Sequence, residues 1–239
     1  DVAPSRGLGD VYKRQTVVDD IYILHQRLKQ RYPDVPLCIM GHSMGSFLTR
    51  TYLIRYPGTV KAAVIMGTGW QPRAAITGGL ALANAIAAVS GENATSELVT
   101  ELAFGSYNKL FAPNRTKVDW LSADESNVDD YIADPLCGAD ATVGLFRQML
   151  HGIRFNQRQS HLRQMDREMP VLFVAGDKDP VGNCGKGVRQ TYDAFRAAGM
   201  RDCTLKLYPG LRHEILNEKA YTADITKNIE AWLLSRLEK

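Results

Sequence analysis

The chain has 239 residues, 45% of them hydrophobic and 23% charged, with 29 Lys+Arg against 26 Asp+Glu and a net charge of +3. That length supplies core for a large α/β domain, the composition excludes collagen-like, coiled-coil and disordered classes, and so balanced a charge gives no electrostatic footprint for nucleic acid. The four cysteines (Cys38, Cys137, Cys184, Cys203) are scattered without C-x-x-C spacing, so neither a zinc site nor a disulfide framework is expected, and a reducing, cytoplasmic setting is.

Residues 1–15, DVAPSRGLGDVYKRQ, carry neither helical period nor strand alternation. Residues 4–15 resemble the translated end of a sequencing-library adapter, so the segment is expected to be non-native and is left out of fold reasoning. From residue 16 the pattern becomes regular. Val17, Ile21, Leu24 and Leu28 recur at helical spacing, predicting an amphipathic helix over 16–32 that Pro33 stops. Residues 36–40 form a short apolar run ending in Gly41, a buried strand. A helix over 43–56 follows, then a second buried strand over 60–66.

Residues 70–166 lack a strand–helix rhythm and read as an insertion. It holds the longest apolar run, residues 78–89, which falls short of the ~20 residues of a membrane span. A third strand is predicted over 170–175, a helix over 185–198 closed by Gly199, a fourth strand over 204–208 and a final helix over 220–237. Strands alternating with helices at this spacing predict parallel pairing in a doubly wound sheet.

Gly41-His42-Ser43-Met44-Gly45 fits G-x-S-x-G, with a strand running into it and a helix running out. A sharp turn there lifts the serine hydroxyl above the strand ends, and two glycines relieve the backbone. The Met44 amide, at the helix N-terminus, is placed to donate to a developing oxyanion. A nucleophilic serine needs a base, and the base needs an acid to orient it. Of five histidines, His25 falls inside the first helix, His42 belongs to the elbow and is expected to point elsewhere, and His151 and His161 lie among surface arginines. His213 follows the fourth strand, on the edge where such sheets place their sites. Asp177 and Asp179 follow the third strand. Asp179 is the preferred acid, because Pro180 fixes the turn beyond it while Asp177 can serve the turn itself.

These segments, together with residues 119–124 (DWLSAD), 134–138 (DPLCG), 176–182 (GDKDPVG) and 212–218 (RHEILNE), resemble the bacterial lysophospholipase and monoacylglycerol-lipase branch of the α/β-hydrolase fold, which is also labelled by its serine aminopeptidase domain. The resemblance implies Ser43 as nucleophile, Asp179 as acid and His213 as base, with residues 70–166 as a helical cap over the acyl site and Leu82 and Ile86 as acyl contacts. It further implies hydrolysis of small-molecule acyl esters without metal or cofactor, and transient contact of the cap with a membrane surface. A peptidase or acyltransferase on the same triad is the alternative. The fold's earlier strands, and the loop that gives its second oxyanion amide, have no counterpart before residue 16. The chain is therefore expected to be a C-terminal portion that aggregates or stays largely inactive when residues 16–239 are made alone. His213-Glu-Ile-Leu-Asn217 imitates a zincin helix but lacks the second histidine.

Overall fold

The four strand segments pair into one parallel sheet, and their alternation decides what lies on each side of it. The computed structural model describes residues 14–238, so most of the adapter-like segment lies outside the described residues, while Arg14 and Gln15 open the first helix. That helix, α1, runs Arg14–Arg31, followed by β1 (Cys38–His42), α2 (Met44–Arg55) and β2 (Ala62–Met66). Next come α3 (Arg73–Ser90), α4 (Glu97–Lys109), a 3-10 turn at Asp119–Leu121, α5 (Glu125–Ala133), α6 (Val143–Asn156) and the single-turn α7 (Gln159–Leu162). The chain then returns to β3 (Val171–Gly176), α8 (Lys186–Ala197), β4 (Cys203–Tyr208) and α9 (Thr222–Leu237).

The strand order is β1-β2-β3-β4, all parallel. In β2 and β3 both faces are buried, as parallel strands covered on two sides require. Ala63, Ile65, Val171, Phe173 and Ala175 face one layer, where Val18 of α1, Leu53 and Ile54 of α2, and Val188 and Phe195 of α8 complete the core. Val64, Met66, Leu172 and Val174 face the other, against Leu211, Ile215 and the α9 residues Ile225 and Ile229. Gly199, at φ 103°, ends α8 in the left-handed conformation that favours glycine.

Two expectations need correcting here. The first helix buries Val18 and packs Ile21 and Tyr22, whereas Leu24 and Leu28 are exposed. The strand leading to the elbow is not buried either. It forms the outer edge of the described sheet, with Cys38 exposed and Met40 55% exposed. Among the described residues no strand pairs with the outer edge of β1.

The segment between β2 and β3 is helical. Its α3 helix has 18 residues, longer than the apolar run suggested, and by length and composition alone it could cross a bilayer. Here its inner residues Ile76 and Leu80 pack with Phe47 of α2 and Ile153 of α6. The later part of the segment also joins the main body. Asn156 donates to the Phe47 carbonyl (2.8 Å) and accepts from Thr51 Oγ1 (2.8 Å), and Leu162 and Met165 enter the core beside α1 and α2.

Candidate active site

Ser43 stands between β1 and α2 with φ 54° and ψ −121°, a backbone conformation rare for a residue with a side chain. Its amide donates to the Met66 carbonyl of β2 (3.1 Å) and its carbonyl accepts from Ser46 Oγ (2.6 Å), so both sides of the turn are pinned. Gly41 is obligatory, because a β-carbon there would stand 2.3 Å from the Gly45 carbonyl oxygen. Gly45 is not: nothing lies within 4 Å of where its β-carbon would be, so only the first glycine of the motif is sterically forced. Met44 opens α2, which leaves its amide among the first-turn donors that have no partner within the helix.

The residues expected as acid and base meet. His213 Nδ1 lies 3.0 Å from each carboxylate oxygen of Asp179, and both side chains are essentially inaccessible, at 2% and 0% exposure. A carboxylate can only accept, so the pairing puts the proton on Nδ1 and frees Nε2. Asp179 is fixed in turn by the Val181 amide (2.9 Å to Oδ1). Asp177 lies apart from the base, and its Oδ1 accepts from the Gly210 amide (2.8 Å) in the turn after β4. Glycine at the end of β3 is what lets the base's loop approach: a β-carbon on Gly176 would stand 2.0 Å from the Leu211 carbonyl oxygen.

Several neighbours of the base escape sequence reasoning. His42 does not point away. Its ring packs 4.5 Å from the His213 ring, and its Nε2 lies 3.0 Å from the His213 carbonyl. Burial, and then the nearby His213, push His42 below the ordinary histidine range. Gly67, at φ 58°, makes room for the pair, since a β-carbon would come within about 3 Å of both rings. Trp120 lies against His213 at 5.2 Å and carries Tyr107 (5.3 Å) and Phe104 (6.3 Å) on its other sides. Burial, with the Asp179 charge adding to it, pushes the Tyr107 hydroxyl up to about 12. Of the remaining histidines, His161 is half-buried against Phe155 rather than on the surface.

The turn bearing Trp120 is tied to the segment bearing the base. Arg212 Nη1 donates to the carbonyls of Asp119 and Ser122. The Glu214 amide donates to the Leu121 carbonyl (2.8 Å), and the Glu218 carboxylate accepts from the Ala123 and Asp124 amides (2.8 and 3.1 Å). Residues 119–124 and 212–218 stood out in the sequence only as matching stretches, and this lacing is what joins them.

Ser43 and Met44 open onto a cavity of about 560 Å³. Phe47 and Ile76 line it with Leu82 of α3, Val99, Leu102 and Tyr107 of α4, Trp120, and Phe146, Met149 and Ile153 of α6. None of its lining residues is charged. Leu82 is where the sequence reading puts an acyl contact. Ile86, one turn further along α3, is half-buried outside the lining.

The family described as "Serine aminopeptidase, S33" matches residues 5–220. Among individual proteins, the chain is 30% identical over 225 residues to a monoacylglycerol lipase of Mycolicibacterium smegmatis, covering 92% of this chain and 70% of that protein. It is 26% identical over 230 residues to a monoglyceride lipase of Mus musculus, covering 93% and 66%. Among solved structures, a thermostable carboxyl esterase of Bacillus coagulans superposes with a TM-score of 0.86 at 24% identity, over 93% of this chain and 72% of that one. The parallel sheet with helices on both faces is thus an α/β-hydrolase fold, and the chain belongs to the serine aminopeptidase S33 family of hydrolases.

Proposed function

We propose that this chain is a serine ester hydrolase that cleaves lipid-like acyl esters, of monoacylglycerol or lysophospholipid type, through Ser43, His213 and Asp179. Ser43 Oγ attacks the ester carbonyl, and His213 Nε2 takes its proton and returns it to the departing alcohol. Asp179 holds the imidazole and stabilises its cation. The Met44 amide donates to the oxyanion. Water then attacks the acyl carbonyl as His213 Nε2 takes its proton, and the proton passes to Ser43 Oγ as the acyl–Oγ bond breaks and the carboxylic acid leaves.

The observation that carries the reading is an uncharged, aromatic and aliphatic cavity opening at the elbow beside a buried His213–Asp179 pair. A cavity of about 560 Å³ falls within the roughly 300–1,000 Å³ range of small-molecule sites, which suits a medium acyl chain with a small alcohol. It also disfavours an aminopeptidase, which needs an anion to hold the substrate's free ammonium. The cap reaches its substrate at a lipid surface, through exposed Val89, Leu98 and Leu102.

The test is a series of p-nitrophenyl esters from acetate to decanoate, run beside aminoacyl-anilides and with fluorophosphonate labelling. Labelling at Ser43 with turnover rising along the ester series supports the proposal. Preference for the anilides assigns a peptidase, and absent labelling assigns a scaffold without a working nucleophile.

A further inference from the structure

Arg50 lies two turns along α2 from Ser43, wholly buried. Its Nη1 donates to the Gly69 carbonyl (2.9 Å) and to Thr68 Oγ1 (3.3 Å). Its Nε and Nη2, the pair of donors that would take a carboxylate side-on, have no hydrogen-bond partner among the described residues, and the guanidinium stands over the Phe47 ring at 5.5 Å. Burial pushes the guanidinium down to about 9. A buried charge without a counter-charge is unfavourable, and an apolar side chain of similar length would occupy the place at lower cost.

What the guanidinium holds is the loop after β2. The Thr191 hydroxyl of α8 faces two carbonyls, that of Gly187 at 2.9 Å and that of Gly69 at 3.3 Å, so one shared proton bridges the two loops. Gly69 in turn presses directly on the loop that follows the acid. A β-carbon there would stand 2.3 Å from the Val181 carbonyl oxygen, one on Gly182 would stand 3.0 Å from the Thr68 carbonyl oxygen, and one on Gly187 would stand 2.9 Å from the Trp70 amide. Backbone lies on backbone at three points with no side chain between, so a shift of either loop moves the other. Val181 is the residue whose amide bonds Asp179 Oδ1, an oxygen that also faces His213 Nδ1.

We infer that Arg50 is a positioning residue for the reaction: by gripping the Gly69 carbonyl it fixes the 67–71 loop against the 181–187 loop, and so sets where the Asp179 carboxylate and the His213 ring stand. This rests on the triad reading above. It assigns Arg50 no contact with substrate, so its effect falls on the chemical step rather than on binding.

The experiment compares Arg50→Met and Arg50→Lys with the parent on p-nitrophenyl butyrate, each also melted thermally. Arg50→Met is expected to melt no lower than the parent while kcat falls at least about tenfold with KM held within about twofold. Arg50→Lys, which keeps a donor for Gly69, is expected to recover most of that loss. A folded Arg50→Met with the parent's kcat overturns the inference, as does a loss carried by KM alone. If Arg50→Met does not fold, Thr191→Val decides: it removes the hydroxyl shared between the Gly69 and Gly187 carbonyls, the other side-chain tie between the two loops, and must lower kcat with KM unchanged, and the parent's kcat there also overturns the inference. Ser43→Ala is run alongside. Turnover that survives Ser43→Ala removes the triad reading and this inference with it, whereas an active parent with indifferent Arg50 and Thr191 variants removes this inference alone.

Discussion

Leu82 and Ile86 lie one helical turn apart on α3, yet only Leu82 lines the cavity, and this separates acyl contact from mere helix packing. Leu82→Ala removes about three carbons from the wall, worth at most ~2.4 kcal/mol at ~0.8 kcal/mol per buried carbon group. Leu82 is already half-buried without substrate, so an acyl chain adds about half of that contact, ~1.2 kcal/mol, or roughly eightfold in kcat/KM. Octanoate is long enough to reach the site, and acetate is not. The expected result is therefore about an eightfold loss of kcat/KM on p-nitrophenyl octanoate with acetate within twofold, while Ile86→Ala leaves both esters within twofold. Initial rates on the two esters, with a thermal melt of each variant, supply the measurement. An equal loss on both esters refutes the assignment, and so does a chain-length effect in Ile86→Ala that matches that of Leu82→Ala.

Asp179→Asn is expected to lower kcat by up to about 10⁴-fold through the wrong histidine tautomer, while Asp177→Asn, which disturbs only the turn at Gly210, stays within about tenfold; steady-state kinetics of the two variants decide between them. His42 is held below its ordinary value, so its contribution to stability is whole above the unfolded pKa, near 6.5, and is lost as pH falls from there through the lowered folded value. His42→Asn should accordingly flatten the fall in urea midpoint between about pH 7 and 5, and an unchanged slope would place the acid sensitivity elsewhere. Met40→Lys puts a charge on the exposed edge strand and should raise the concentration at which the protein stays monodisperse in light scattering, with esterase activity kept.

The sheet was legible because β1, β2 and β3 are short apolar runs that end in, or at, a glycine or a turn, and because β2 and β3 are apolar on both faces, whereas β4 carries Thr204 and Lys206. The meeting of Asp179 with His213 follows from the same logic, since both residues come from loops that leave the same edge of a parallel sheet. Sequence could not say which face of α3 meets the cavity. Its alanines, glycines, leucines and isoleucines are apolar all round, so no period distinguishes Leu82 from Ile86, and packing against α6 fixes the rotation. Nor could it find His42 beside His213, 171 residues away, because strand pairing and the room left at Gly67 create that contact rather than any local pattern. The exposure of Leu24, Leu28 and Met40 has the same character. Periodicity tells that a residue is apolar, and the presence of a covering element decides whether it is buried.

The lacing of residues 119–124 to 212–218 bears on how substrate gets in. The Trp120 side of the cap is bolted to the very loop that carries the base, through Arg212, Glu214 and Glu218, so lifting that side would drag His213 off Asp179. On the proposed reading, entry is from the opposite side, where α4 turns Val99, Leu102 and Phe104 toward the cavity and leaves Leu98 outside. On that reading an acyl tail threading past α4 reaches Ser43 with His213 still paired to Asp179.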